Sequence, residues 1–140
     1  MTNSKETINL YLDIRYIVIG GIAMGVNKEL LKGTTLLLIL QLLKEGDKYG
    51  YEMTRELEKR SDGLFTLKEG TLYPILHGLE SDGMIEAYWE DTELARKRKY
   101  YRITKKGLKL LEEKKGEWLA YSRGVGKVIG GGAYSEPSCC

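Results

Sequence analysis

The segment between Leu36 and Leu43 is apolar on nearly every side of a helix. It lies within a helical pattern that begins at Asn27, a possible N-cap, and ends at Gly46. A helix of this kind is buried on more than one side, so the other segments must pack around it. At 140 residues, the chain is long enough for one such core and too short for two independent ones.

A second helical pattern runs from Asp47 to Gly63. Met53 and Leu57 share one stripe of this segment, and the remaining positions are largely charged or polar. The sequence Ser61-Asp62-Gly63 supplies a stop signal. The pattern therefore predicts a short helix with a charged outer face.

The stretch from Leu67 to Ile85 predicts a third helix, which begins near Gly70 and ends at Asp82-Gly83. Pro74 then lies at the end of the first turn, where a proline costs about one backbone hydrogen bond rather than a break in mid-helix. The inward stripe consists of Leu72, Ile75, Leu76 and Leu79, and the opposite face of Thr71, Tyr73, His77 and Ser81. That opposite face has few acids and is available to contact a partner.

Two segments with the composition of β-strands follow the third helix. They read MIEAYWED and RKYYRIT, and a short polar and basic segment connects them. This arrangement predicts a two-stranded hairpin. Its charge is unevenly distributed, since the stretch from Glu86 to Glu93 carries four acids and the stretch from Leu94 to Lys109 carries eight Lys or Arg and no acid. The net charge of the whole chain is only +2.

The last helix is predicted to start at Thr104, which serves as its cap. Leu111, Trp118 and Val125 recur every seven residues along it, with Ile129 on the same side. Several glycines weaken this helix in isolation; they are Gly107, Gly116, Gly124 and Gly126. We therefore expect a partner surface to hold the helix.

The order helix, helix, turn, helix, basic hairpin, helix is typical of a winged helix-turn-helix. The major groove of duplex DNA admits one helix, whose exposed polar face reads base edges, while a cationic hairpin lies against the phosphates beside it. The fold class is therefore expected to be mainly α with a small β-hairpin, a winged helix-turn-helix followed by a C-terminal helix. Pro74 would lie where a donor-free backbone can approach the duplex closely.

Three separated stretches of the chain resemble the PadR family of bacterial transcriptional regulators, in its short type with a single C-terminal dimerisation helix. They read LLKGTTLLLILQLLKEGDKYGYEMTRELEKRSDG, LKEGTLYPILHGLESDGMIEAYWED and RKYYRITKKG. The resemblance spans roughly residues 27–129. It implies a homodimer with a winged helix-turn-helix in each protomer, repression of a nearby gene, and release when a small-molecule effector binds.

The resemblance also suggests which side chains contact DNA and which form the ligand and dimer interface. The residues assigned to double-stranded DNA are Lys48, Tyr49, Lys68, Thr71, Tyr73, Pro74, His77, Arg96, Lys97, Arg98 and Lys99. The residues assigned to the ligand and dimer interface are Leu36, Leu37, Leu40, Leu111, Lys115, Trp118 and Val125.

Several of these assignments have simpler alternatives. His77 could be a surface histidine without a role, and Tyr73 could pack on the turn instead of contacting DNA. The basic residues of the hairpin could be a solvated charge run. Trp118 could pack at the dimer interface, serve as a ligand platform, or do both. Leu36, Leu37 and Leu40 could belong to the core or to the dimer interface, with the lining of a ligand pore as a minor alternative.

The chain departs from the family pattern at two places. Many relatives carry Gly-Gly at the tip of the wing, where this chain has Ala95-Arg96. In relatives that bind drugs between the subunits, an aromatic residue often precedes the helix tryptophan by one turn, and here that position holds Lys115. An aromatic drug site with two flat sides is therefore less well supported.

The predicted organisation has four parts. Residues 1–26 are an N-terminal extension, residues 27–104 the winged helix-turn-helix, residues 105–130 the dimerisation helix, and residues 131–140 a flexible tail. Gly20-Gly21 can be encoded by a bacterial ribosome-binding sequence, so we hypothesise that translation starts at Met24. The apolar stretch YIVIGGIAMGV is shorter than a membrane span, and no membrane association is expected.

Three classes of function are compared on these grounds. A ligand-responsive DNA-binding repressor fits the hairpin and the third helix, and a winged-helix protein-interaction module, with the wing binding an acidic partner, is the alternative. An enzyme is not expected, because no paired carboxylates, nucleophile and base pair or phosphate loop is present. The adjacent Cys139 and Cys140 and the single histidine support neither a disulfide nor a metal site, so we expect no cofactor and a cytoplasmic protein.

Overall fold

The computed structural model describes the backbone of residues 28–130 and the side chains of residues 34–130. Its helices are α1 (Lys28–Lys44), α2 (Gly50–Arg60), α3 (Glu69–Ser81) and α4 (Lys105–Val128), and its strands are β1 (Lys48–Tyr49), β2 (Ile85–Asp91) and β3 (Lys97–Ile103). This mainly helical winged-helix architecture with a long C-terminal helix confirms the predicted fold class. The predicted N-terminal extension, the start at Met24 and the flexible tail lie outside the described residues.

The sheet has three antiparallel strands in the order β1-β3-β2, one strand more than the predicted hairpin. Tyr49 of β1 lies opposite Tyr100 of β3, and Tyr88 of β2 lies opposite Tyr100 on its other side. The sequence indicated a helix from Asp47 onward, but the backbone of Tyr49 is extended, with φ −93° and ψ 166°, and α2 starts one residue later. The Tyr49 N–H donates to Glu52 Oε2 at 3.2 Å, which stabilises this helix start.

The core forms around α1, as its apolar sequence predicted. Leu40 and Leu43 are fully buried against side chains from every later helix and from the sheet. The buried side chains that surround them include Met53, Leu57, Leu72, Leu76, Leu79, Ile85, Tyr101 and Leu111. Leu37 is also buried in this core, and Leu36 is half-buried at its edge. Within the protomer, Leu36, Leu37 and Leu40 are therefore core residues.

The seven-residue repeat of α4 predicted that Leu111, Trp118 and Val125 share one environment, and the structure separates Leu111 from the other two. Leu111 is fully buried in the core of its own protomer, whereas Trp118 and Val125 on the same stripe are exposed. The reason is the length of the helix, which at 24 residues extends about 36 Å, beyond the small core against which it starts. Only the first half of α4 packs on its own protomer, where Leu111 and Leu40 are core residues.

The start of α4 is bonded to the end of α3. The Thr104 hydroxyl donates to Gly83 O at 2.7 Å and accepts from Gly107 N–H at 3.1 Å, which confirms Thr104 as the N-cap. The Thr104 N–H donates to Met84 O at 3.0 Å, and Lys106 Nζ donates to Asp82 O at 2.8 Å. We call the segments 82–84 and 104–107 the junction.

Candidate nucleic-acid interface

The outer face of α3 presents Tyr73, Pro74 and His77, all exposed. Lys68, the N-cap residue of α3, is exposed as well. The prediction that Thr71 lies on this exposed face is wrong, because only 3% of its surface is accessible. Thr71 precedes Tyr73 by two positions, and about 200° of helical rotation places it on the other side of the helix. The exposed part of the recognition face is therefore narrower than the sequence suggested.

Pro74 lies inside α3 rather than at its edge, since the helix begins at Glu69. Proline lacks an N–H group, so the bond to the carbonyl four residues earlier, at Gly70, is the one removed. The helix nevertheless continues to Ser81. Pro74 is exposed, and it leaves one backbone position of α3 without an N–H donor.

Tyr73 lies against the first residue of α2. A Cβ atom placed on Gly50 would lie 2.7 Å from the Tyr73 hydroxyl oxygen, so only glycine leaves room for this ring in its present position. Burial is the main cause that raises the pKa of Tyr73. The ring thus packs on the helix-turn-helix, while 38% of the residue stays exposed. Tyr73 therefore packs on the turn and also leaves part of its surface available to DNA. Sequence reasoning missed Gly50.

The tip of the wing folds without the Gly-Gly of many relatives. Thr92 N–H and the Thr92 hydroxyl both donate to Arg96 O, at 2.9 and 2.7 Å, and Ala95 N–H donates to Thr92 O at 3.1 Å. Ala95 closes this turn with φ +57°, in the left-handed region. An L-residue pays about 1–2 kcal/mol for that conformation, so the turn forms at a cost that glycine would avoid.

The cations of the wing are opposed by acids from the neighbouring strand. The register places Lys97 opposite Asp91 and Arg98 opposite Glu90. Between Glu86 and Arg102 the chain carries five basic and four acidic side chains. The basic run is thus less cationic in the fold than it is in the sequence. Arg96, Lys97 and Arg98 are exposed, and no salt bridge joins Arg96 or Lys97 to any other described residue.

Lys99 does not project with the other wing cations. Its Nζ lies 3.7 Å from Glu80 Oε1 near the end of α3, and 5.5 Å from the centre of the Tyr101 ring. Strand alternation puts Lys99 and Tyr101 on the face of β3 that is directed toward the core. Lys99 therefore joins the wing to α3, a role different from the phosphate contact that its place in the sequence predicted.

A row of three tyrosines supports the wing from the other face of the sheet. The Tyr100 ring lies 5.5 Å from Tyr49 and 5.7 Å from Tyr88, measured between ring centres. The Arg98 guanidinium lies 4.4 Å from the centre of the Tyr49 ring, a distance typical of a cation–π contact. Tyr49, which was predicted to contact DNA, is half-buried, and the face of its ring packs against Arg98.

Asp47 anchors the same row. Its Oδ2 accepts a hydrogen bond from the Tyr88 hydroxyl at 2.8 Å and another from Arg102 Nε at 3.2 Å. The bond to Asp47 raises the pKa of Tyr88, and the charge of Asp47 raises the pKa of Arg102. Sequence reasoning missed Asp47, Tyr88 and Arg102, although tyrosine in both segments of the predicted hairpin was a usable signal.

The structure also gives Lys48 a different role. Its Nζ donates to Leu42 O at 2.9 Å and to Gly46 O at 3.3 Å, at the carboxyl end of α1. A cation at this end offsets the partial negative charge of the last carbonyl groups. The ammonium group of Lys48 is thereby directed to the protein's own backbone, and its contact with DNA stays a prediction.

The second half of α4 leaves apolar side chains exposed. The Trp118 and Tyr121 rings lie 6.4 Å apart, and 43% of Trp118 is accessible. The other exposed apolar residues there are Leu119, Val125, Val128 and Ile129. Lys115 is half-buried beside them. This surface is separate from α3 and the wing.

These features are found in a known class of proteins. Residues 39–113, more than half of the chain, match the Transcriptional regulator PadR-like family. The chain belongs to this family. The match runs from the middle of α1 into the first half of α4 and so includes the complete sheet and both helices of the helix-turn-helix.

Three relatives illustrate the similarity of this PadR-like regulator to other proteins. An uncharacterised protein of Lysinibacillus sphaericus is 42% identical over 93 residues, which cover 66% of this chain and 85% of that protein. A transcriptional regulator from Clostridium thermocellum has a similar solved structure, with 36% identity, a TM-score of 0.66 and coverage of 71% and 96%. A PadR-like transcriptional regulator from Bacillus cereus is also 36% identical, with a TM-score of 0.65 and coverage of 74% and 98%.

PadR regulators bind DNA and typically form dimers. The matched family and the two solved structures described above are those of transcriptional regulators. Among residues 28–130, no helix is both long enough and apolar enough to cross a membrane.

Proposed function

We propose that this regulator is a repressor that binds its operator as a homodimer and is released by a small-molecule effector. The observation that carries the proposal is that α3 and the wing form one unit. The outer face of α3 presents Tyr73 and His77, and the exposed wing cations belong to a hairpin joined to α3 by the ion pair between Lys99 and Glu80.

In this proposal, α3 enters the major groove and the wing lies on the adjacent backbone. His77 offers an imidazole to base edges and Tyr73 offers the exposed part of its side chain, while Pro74 removes a backbone donor at the closest approach. Arg96, Lys97 and Arg98 contact phosphates. These contacts fix the position of the protein on the duplex and do not read the base sequence. These contacts, including that of Lys68, remain predictions.

The dimer would form through the second half of α4. Its exposed apolar side chains, among them Trp118 and Val125, have no covering segment among the described residues. A symmetric dimer with one α3 in each protomer predicts half-sites about 34 Å apart, one turn of the duplex. The dimer would therefore recognise an inverted repeat.

An effector bound between the subunits would meet the Trp118 indole. It would release DNA by favouring a dimer geometry in which the two recognition helices no longer match the half-sites. Lys115 is half-buried beside this surface, so an anionic or phenolic effector is favoured over a cationic one.

The test is selection of duplexes from a pool with a randomised core of about 30 base pairs. The purified wild-type protein should enrich an inverted repeat, and binding should weaken strongly with added salt because phosphate contacts release counterions. Failure to enrich any sequence, together with no binding to mixed-sequence duplex at low salt, would contradict the proposal.

The alternative, a winged-helix module for protein partners, is favoured by one observation. The three acids of β2 lie opposite three of the five wing cations, which lowers the positive charge of the wing. A wing that binds a protein would give weak DNA binding with little dependence on salt. The salt dependence of the wild-type protein therefore separates the two functions.

A further inference from the structure

Trp89 is the largest side chain of the wing and one of two tryptophans in the chain. It lies in the middle of β2, yet 63% of it is exposed. Single exposed apolar residues are common on protein surfaces, so exposure alone assigns no role to Trp89. The position of the indole relative to α3 and to the wing tip is more specific.

Strand alternation defines the side on which Trp89 lies. Ile85, Ala87 and Trp89 share one face of β2, and their exposure increases along the strand from buried through half-buried to exposed. On β3, Tyr101 lies opposite Ala87 and is buried in the core. Trp89 therefore lies on the core-directed face of the sheet, at a position where the sheet extends beyond the core. This is the face to which α3 belongs, since α3 packs on β2.

The residue opposite Trp89 is Lys99, which is directed away from the wing tip. The ammonium group of Lys99 is held near Glu80 of α3 and over the ring of Tyr101. The indole is thus bordered on one side by the link between the wing and α3. On the other side it is bordered by the next cross-strand pair on the same face, Asp91 and Lys97, which leads to Arg96 at the tip.

We infer that Trp89 contacts the sugar–phosphate backbone of bound DNA, between the groove occupied by α3 and the phosphates held by the wing tip. This inference rests on the proposed DNA-binding function. A deoxyribose presents an apolar face flanked by anions. The indole is complementary to the sugar, and the exposed Arg96 and Lys97 are complementary to the phosphates. The indole N–H can in addition donate to a phosphate oxygen.

This assignment differs from the role of the cations in a way that can be measured. Burial of about 50 Å² of indole corresponds to a roughly tenfold change in affinity for each protomer in contact. Because the indole carries no charge, its contact with DNA releases no counterion, and its removal should leave the salt slope unchanged. Because sugars carry no sequence information, the loss is the same for every duplex.

The experiment compares wild type, Trp89→Ala and Trp89→Phe on two duplexes of about 30 base pairs, one selected by the wild-type protein and one of mixed sequence. Fluorescence anisotropy at several salt concentrations gives affinities and slopes. We expect Trp89→Ala to bind both duplexes about tenfold more weakly per protomer, with wild-type slopes and an unchanged melting temperature. We expect Trp89→Phe to recover part of the loss.

A direct readout comes from wild-type protein labelled with 5-fluorotryptophan, whose two 19F resonances are assigned by the one missing from Trp89→Phe. The Trp89 resonance should shift when either duplex is added, and it should shift more than the resonance of Trp118, which lies on α4 outside the wing. Equal affinities for wild type and Trp89→Ala would overturn the inference and leave the proposed function intact. A loss confined to the selected duplex, or a changed salt slope, would overturn the backbone assignment. Absence of binding by the wild type itself would count against the proposed function instead.

Discussion

Gly107→Ala should destabilise the protein, although alanine is the better helix former. A Cβ atom on Gly107 would lie 2.1 Å from Met84 O and 2.8 Å from Ile103 Cγ1. Contacts this short cannot persist, and the nearer atom belongs to the backbone, so the junction must open by about 1 Å. Met84 O also accepts the Thr104 N–H, and the movement would lengthen that bond.

The net effect can be estimated from two opposing contributions. Replacing glycine by alanine within a helix gains about 1 kcal/mol, whereas overpacking of this kind costs about 3 kcal/mol once the hydrogen bond is weakened. A net loss of about 2 kcal/mol in the free energy of unfolding should lower the melting temperature by roughly 6–10 °C.

The assay is thermal and urea unfolding followed by circular dichroism, at one fixed protomer concentration because a dimer's stability depends on it. Gly116→Ala is the matched control, since an added Cβ there meets no atom within 4 Å. It should raise the stability by about 0.5–1 kcal/mol. If Gly107→Ala were as stable as Gly116→Ala, the close approach of α4 to Met84 would be refuted.

Four further outcomes are expected. Ala95→Gly should stabilise the protein by about 0.5–1 kcal/mol in urea unfolding, because glycine adopts φ +57° without strain; a loss of stability would contradict the turn geometry. Replacing Lys97 and Arg98 together by alanine should weaken binding to all duplexes alike and lower the magnitude of the salt slope by about 2 per protomer, and an unchanged slope would mean that the wing is off the DNA. His77→Ala should change preference among operator variants by about 1–3 kcal/mol at one position of each half-site, whereas a uniform loss over specific and random duplexes would reassign it to the backbone. Trp118→Ala should impair dimerisation, induction or both, as measured by sedimentation and by release from the operator on titration with aromatic acids; a fully wild-type response would exclude the site.

Much of the fold could be predicted because periodicity reports burial directly. The apolar segment around Leu40 had to be central, and the stripe of α3 correctly identified Leu72, Leu76 and Leu79 as core. Turn signals and the cap at Thr104 placed the element boundaries within a few residues. The two-residue strand β1 was missed, because so short an extended segment has no period and depends on its pairing with β3.

The site was predicted less completely, because the direction of a side chain depends on partners that are distant in sequence. Lys48 and Lys99 looked like other cations until their partners, the α1 carbonyl groups and Glu80, were known. The opposition of acids and bases across the hairpin could have been foreseen from the acidic stretch before the basic run. Thr71 was misplaced for a simpler reason, since a position on the helix was assigned by polarity instead of by angle.

The junction has a consequence for how an effector could act on DNA binding. The hydrogen bonds of Thr104 and Lys106, together with the packing of Gly107 on Met84, connect the end of α3 to the start of α4 without a flexible linker. From this point α4 continues for about 36 Å. A small rotation of the distal end of α4 would therefore also rotate the recognition helix, because the junction holds the two helices together. Rearrangement of the dimer would therefore move α3 as part of a rigid body, and the spacing of the two recognition helices, more than the shape of either one, would carry the response.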